Sequence, residues 1–358
     1  MDLYVYNPQG RKIDVVEGYS SLQWTRRYYE SGSFELHCDP VYADLLLMNH
    51  TLWPSGDLEA GTITSRSFQL DEGGKETLIV SGKLKTGLLS RRILWREVSF
   101  SGTYERLMRQ LVDANAVTTD ADRAIPGLSI APPAGYTEAL EEYSESNTKL
   151  DEALAKLSRA CELGHRIRFD PATGLLRFEV YAGLDRTMGQ RVNNPALFSV
   201  DFENLTSAQY HEGDEGSANV ALVIGEDDQR QPVRRTVGSA AGLERREVCI
   251  DAKRVKKKLE DGTVLSNARF NAAIDQYGVE QLGKMMPIRS IDARIKADGN
   301  LAYGEDYDLG DIVTIVLDNW GVRTDARLTD VQVVYEGAGR SVYAVFGDDP
   351  TANRITEG

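Results

Sequence analysis

Chemistry in a chain of 358 residues would be sought first at its four histidines, His37, His50, His165 and His211. None has a Cys or His partner at the spacing of a zinc site, and His211-Glu212 runs into Gly213-Asp214-Glu215 instead of completing HExxH. The three cysteines, Cys38, Cys161 and Cys249, lie far apart. An odd number of scattered cysteines suits buried thiols in a reducing compartment and supplies no ligand set. GEDYDLGD (304–311) sets Asp306 and Asp308 one residue apart, as a calcium loop does. The fifth and twelfth positions of such a loop would fall on Gly310 and Leu317, so the stretch reads as a polar turn entering a strand. There is no GxxxxGK[ST] phosphate loop and no GxGxxG after a strand, and GSAAG (238–242) is not the GxSxG elbow of a serine hydrolase. The pairs Glu141/Glu142, Asp227/Asp228 and Asp348/Asp349 read as solvated charges, although a catalytic carboxylate pair is defined only in three dimensions. The sequence therefore predicts no catalytic residue, no metal site and no cofactor.

Aromatic side chains are the other candidates. Trp24, Tyr28, Trp53 and Trp95 would make a sugar-binding platform if they shared one exposed face. Trp24 and Tyr28 lie in GYSSLQWTRRYYESGSFELHCDP (18–40), where Leu22, Trp24, Arg26 and Tyr28 alternate with Gln23, Thr25, Arg27 and Tyr29. That is the period of a strand with one buried side. Glu30 to Ser33 turn the chain, a second strand carries Phe34, Leu36 and Cys38 inward, and Pro40 ends it. The stretch is thus predicted to be a hairpin whose core is Leu22, Trp24, Tyr28, Phe34, Leu36 and Cys38. Arg26, Arg27 and Glu35 are then candidates for contacts between elements or subunits.

The elements around the hairpin alternate between two textures. A second hairpin, SFQLDEGGKETLIVSGK (67–83), has Phe68 and Leu70 on one strand, Leu78 and Val80 on the other, and a turn at 71–74. PVYADLLLMN (40–49) reads as a short helix capped by Asp39. From about residue 98 helical periodicity takes over. SGTYERLMRQLVDANA (101–116) would be capped by Ser101, and NTKLDEALAKLSRACELG (147–164) by Asn147 or Thr148 and stopped at Gly164. A hairpin over 165–183 follows, then strands to about 237, a helical insertion best seen in SNARFNAAIDQYGVEQLGK (266–284), and closing strands at 288–296, 311–317, 325–336 and 340–347.

Composition sets outer limits. Apolar content of 41% with 27% charged residues is that of a globular protein. No apolar run approaches the roughly 20 residues of a membrane-spanning helix, and MDLYVYNPQG is no secretory signal. A formal charge of −14 disfavours a sequence-tolerant nucleic-acid binder, so KRVKKK (253–258) reads as one solvated face.

WTRRYYESGSFEL (24–36), VRRTVGSAAGLERREVCIDA (233–252) and YDLGDIVTIVLDNWGVRTDARLTDVQVVYEGAG (307–339) together resemble, in order and spacing, the tail hub proteins of siphophages, prophages and phage-tail-like particles. The resemblance spans nearly the whole chain. It implies a β-rich α+β fold with two tube-like β-barrels per subunit, three subunits forming a pseudo-sixfold ring against the tail tube. The domains would be a first barrel at 1–97, an α+β insertion at 98–197, a second barrel from 198–245 and 286–350, a helical insertion at 246–285 and a C-terminal tail at 351–358. The implied partners are further copies of itself, the tail tube protein, the distal tail protein and fibre or tip proteins, in a virion tail assembled in the bacterial cytoplasm. No specific nucleic-acid binding and no stable membrane insertion are implied. A tail-associated cell-wall hydrolase and a carbohydrate-binding receptor module are the alternatives.

Overall fold

The structure is a computed structural model that describes residues 1–258, 264–283, 285, 287–296, 299–337 and 339–348. The expected C-terminal tail at 351–358 lies outside the described residues. The chain separates into two units, Met1–Gln209 with Ile291–Gly347, and Tyr210–Ser290 with Asp348–Gly358.

The first strands are β1 (Leu3–Tyr6), β2 (Lys12–Val16), β3 (Tyr19–Arg27), β4 (Ser33–Cys38), β5 (Thr51–Pro54), β6 (Gly61–Leu70) and β7 (Glu76–Leu84). Next come β8 (Val98–Thr103), α1 (Tyr104–Val112), β9 (Leu128–Ile130), β10 (Ala139–Glu145), α2 (Leu150–Cys161), β11 (Gly164–Phe169) and β12 (Leu176–Tyr181). Short β13 (Asp185–Arg186) and β14 (Leu197–Ser199) precede β15 (Leu205–Gly213), β16 (Val220–Glu226), β17 (Pro232–Gly238), β18 (Glu247–Asp251) and α3 (Asn267–Gly283). The chain closes with β19 (Ile288–Ile295), β20 (Ile312–Leu317), β21 (Val322–Glu336) and β22 (Gly339–Asp348).

This is a β-rich α+β protein. Its main sheet has 14 strands, in the order β15-β19-β22-β21-β3-β4-β7-β6-β5-β1-β2, with β20 on β21 and with β13 and β14 parallel to β20. The two ends of the sequence meet in it: β3 pairs antiparallel with β21 from Arg27↔Asp330 to Ser21↔Glu336. That pairing corrects one expectation. With β4 on one edge of β3 and β21 on the other, β3 has no edge left to close the N-terminal strands on themselves. The strand order stays open, ending at β2 and β15, and does not close into two barrels.

Alternation produces the core as the side-chain period requires. Leu22, Trp24, Phe34, Leu36 and Cys38 are buried in one cluster with Leu78 and Val80. A second cluster holds the α1 and α2 stripes (Leu107, Met108, Leu111; Leu154, Leu157) against Ile167 and Phe178 of the three-stranded sheet β9-β12-β11. The helix caps differ from the sequence reading. Strand β8 continues to Thr103, whose hydroxyl accepts from Arg106 N at 3.3 Å and starts α1, so Ser101 lies within the strand. α2 starts after Lys149 without a side-chain cap, and its left-handed end is Glu162 (φ 55°), not Gly164.

The second unit packs α3 against a three-stranded sheet, β17-β16-β18, through Phe270 and Ile274 on Ala221, Val223, Val237 and Ile250. Strands at 220–238, assigned in sequence to the second barrel, therefore share a core with the helix assigned to the insertion. The apolar face of β16 finds its cover in α3.

Candidate functional site

Several candidate catalytic groups among the described residues have protein partners. Ser158 and His165 are linked by a 2.7 Å hydrogen bond, the geometry of a nucleophile and its base. Both are fully buried between α2 and β11, and burial pushes the His165 imidazole down to about 4. A pair with no route for substrate is a satisfied core contact. His37 leans on Glu35 of the same strand at 2.8 Å. Lys85, also buried, donates to the hydroxyls of Thr51 (2.6 Å) and Thr62 (3.1 Å). No group of acidic, Cys or His side chains among the described residues has the arrangement of a metal site.

The calcium-like loop is occupied by the protein's own donors. Asp306 accepts from Ala302 N (2.8 Å), and Asp311 from Leu184 N (2.7 Å), Arg186 Nε (2.7 Å) and Asp308 N (2.9 Å). Asp308 faces Arg26 at 3.3 Å. These carboxylates end a turn and clamp it to the chain beginning at β13. Of the other acidic pairs, Asp228 is held by Lys257 at 2.8 Å, whereas Asp349 and the side chains of Glu141, Glu142 and Asp348 lie outside the described residues.

The aromatic platform does not assemble. Trp24 stacks on Phe34 in the hairpin core (5.5 Å between ring centroids), and Trp53 stacks on Tyr4 (5.7 Å). Trp95 is elsewhere and exposed, with the Arg123 guanidinium 4.3 Å from its ring. Tyr28 departs from the expected hairpin core. It follows the last residue of β3, where its N donates to Thr329 O at 2.8 Å, and its ring packs edge-on against Tyr181. Its hydroxyl donates towards Glu162 O (3.0 Å). Gly164 and Gly310 make room for the ring, since a Cβ at either would come within 2.4 Å or 2.3 Å of it.

The predicted contact residues divide by depth. Arg26, on the inward face, is only 6% exposed. Its Nε reaches Glu59 at 3.1 Å and its Nη1 reaches Tyr303 (2.9 Å) and Asp308. Burial opposes its charge, but Tyr303, Asp57, Glu59 and Asp308 outweigh burial and hold the guanidinium pKa above its ordinary range. Burial raises the Glu59 carboxyl, which Arg26 partly offsets. Arg27 joins β3 to β21 through Asp330 (3.1 Å) and also reaches Ser31 O. Glu35 has its contact within its own strand. Sequence reasoning missed Glu59, Tyr303 and Asp311, whose partners are distant in sequence. It also missed Glu105, which accepts from Ala134, Gly135 and Tyr136 N at 2.6–2.9 Å and orders the proline-rich connection.

The family model described as Siphovirus ReqiPepy6 Gp37-like protein matches residues 2–348. Among solved structures, a tail protein from Neisseria meningitidis MC58 superimposes with a TM-score of 0.62 at 14% identity, covering 97% of this chain and 96% of that one. The 43 kDa tail protein of prophage MuSo2 from Shewanella oneidensis gives 0.60 at 13%, covering 97% and 98%. Prophage tail protein gp18 from Listeria monocytogenes EGD-e gives 0.56 at 11%, covering 98% and 96%. No curated protein matches.

Proposed function

The chain belongs to the Siphovirus ReqiPepy6 Gp37-like family of tail proteins, and on that premise we propose that it is a structural hub at the distal end of a phage or phage-like tail. It joins the hexameric tail tube to the tip or fibre and forms part of the DNA channel as a ring-shaped homotrimer. In the ring each subunit contributes two tube-like β-regions, and its partners are the tail tube protein, the distal tail protein and the fibre or tip proteins. The observation that carries this reading is the family match over 2–348 together with the likeness, over at least 97% of this chain, to three tail proteins. Among the described residues the sheet is open, its order ending at β2 and β15, which suits a subunit completed by neighbours. The acidic total suits a conduit that DNA passes without counterion-release binding.

The role is non-catalytic. Among the described residues the hydrolase alternative finds its nucleophile–base geometry in the buried Ser158–His165 pair, and the platform alternative has its aromatics dispersed. No described helix is long and apolar enough to cross a membrane. Light scattering and negative-stain imaging of the purified protein test the assembly, with a trimeric mass and threefold rings expected. A monomer that clears cell-wall substrate on a zymogram, or that shifts duplex DNA at low salt, would overturn the reading.

A further inference from the structure

Two exposed patches in the first unit combine charge with apolar surface, and their signs are opposite. One is the tip of the β6–β7 hairpin. Phe68 and Leu70 are 61% and 69% exposed there, and the adjoining turn carries exposed Asp71, Glu72 and Glu76 against one lysine, Lys75. β5 pairs with β6 at Gly61 and Thr62, His50 adds a contact at Ile63, and among the described residues no strand pairs with the outer edge of 64–70. The other patch follows the opposite end of β7. Trp95 is 61% exposed with Ile93 and Arg96 beside it in sequence; Arg123 lies over its ring, Arg92 is bonded to Arg123, and the charge of Arg91 acts on Arg92. Arg92 Nε donates to Arg123 O at 2.5 Å and Arg123 Nη2 to Ile93 O at 2.9 Å, so the cluster is held by backbone acceptors. None of the four arginines is in an ion pair among the described residues. Asp120 and Asp122 precede Arg123, and Glu97 follows Arg96.

We infer that the acidic, apolar tip of one copy docks on the arginine–tryptophan patch of the next copy, as the contact that links neighbours head to tail. β7 has nine residues and, at about 3.3 Å per residue, is some 26 Å long, with the acidic tip before its start and the arginine patch after its end in sequence. Patches that leave the strand at different ends suit contact with different copies. Two unlike patches make a heterologous contact, the kind that closes a ring when the rotation allows. A second copy is the occupant that charge favours: each copy supplies both the acid and the base, and Phe68 and Leu70 meet Trp95 and Ile93 as the buried centre. Long uncovered edges bearing apolar side chains otherwise promote indiscriminate pairing, which a defined neighbour prevents. This contact rests on the ring reading above and says how its subunits are joined.

Charge reversal tests it. Glu72→Lys/Glu76→Lys and Arg91→Glu/Arg96→Glu should each weaken self-association about tenfold or more, the scale expected for lost interfacial charge pairs. The chain carrying all four substitutions should recover assembly, because the signs are complementary again. Light scattering and sedimentation at low and high salt read the mass. A wild type that stays monomeric overturns both the ring and the contact. A trimeric wild type whose mass and dissociation are unchanged in both reversed variants overturns the contact and leaves the ring. Failure of the fourfold variant to recover, when each pair alone weakened assembly and all variants keep the wild-type melting temperature, also overturns it. So does loss of binding to an anionic glycan such as heparin with self-association untouched, which would give the patch to a ligand.

Discussion

Arg26 and Arg96 carry the same guanidinium into opposite surroundings. Arg26 is sealed inside the first unit with Glu59, Tyr303 and Asp308 on its nitrogens. Arg96 is exposed, next to Trp95 in sequence and a few residues from Arg91 and Arg92, and no ion pair among the described residues involves it. A charge inside a protein is tolerated only when paired and hydrogen-bonded, so each partner of Arg26 is obligatory to the fold. A charge outside is solvated and screened over about 8 Å, so the arginines around Trp95 can gather without a partner of their own. One region uses arginine to tie β3, the approach to β6 and the turn before β20 together. The other leaves it available to another molecule.

The largest effect should come from breaking the buried region. Arg26→Ala strands the buried Glu59, while the more exposed Asp308 turns to water, and is expected to cost about 3–5 kcal/mol, read as a lowered denaturant midpoint. Combining Arg26→Met with Glu59→Leu should recover a good part of that loss, because an apolar pair needs no partner. If the double variant is as unstable as Arg26→Ala, packing matters there and the charge pairing does not. Trp24→Ala and Phe34→Ala should each cost a similar ~3–5 kcal/mol by opening a cavity in the hairpin core. Both melting at the wild-type temperature would contradict the placement of these rings.

A smaller effect depends on pH. Burial lowers the His165 imidazole from 6.5 to about 4, so between those values the unfolded chain binds a proton that the folded chain refuses. Stability from this group is complete above pH 6.5 and falls as pH drops towards about 4, by on the order of 3 kcal/mol across the window. His165→Asn should flatten that fall in urea titrations at stepped pH. An unchanged slope would mean that the carboxylates alone produce it.

The buried region was partly legible in sequence and the exposed one was not. Alternation through 22–28 and 34–38 located the hairpin core, because a strand's two-residue period is a local property. It also put Arg26 on the inward face with Leu22 and Trp24. Nothing local could supply Glu59 or Tyr303, which meet Arg26 through a sheet formed between the two ends of the chain. Tyr28 obeys the alternation and is fully buried, yet packs outside the hairpin cluster, because β3 ends at Arg27 and glycines far away at 164 and 310 open a place for its ring. The open strand order was hidden for the same reason: a strand's period shows which face is buried, and it does not show which strand takes each edge. Phe68 and Leu70 stand on one strand of the predicted hairpin, and alternation alone does not show that their face is left exposed, in the part of β6 beyond its pairing with β5.

The smallest effect on stability is expected in the exposed region, and it is the sharpest test of the contrast. Arg96→Ala should change folding free energy by no more than about 0.5 kcal/mol, since a solvated side chain without an ion-pair partner gives up little when truncated. Trp95→Ala removes an exposed ring and its stacking on Arg123, a loss of about 0.5–1 kcal/mol at such a site. Burial together with Arg123 and Arg91 lowers the Arg92 pKa, so positive charge already crowds this stretch. Chemical denaturation at low and moderate salt measures both variants. A loss near that of Arg26→Ala in either would mean that the Trp95 cluster is a second structural clamp, and the division of labour between the two arginine groups would fall.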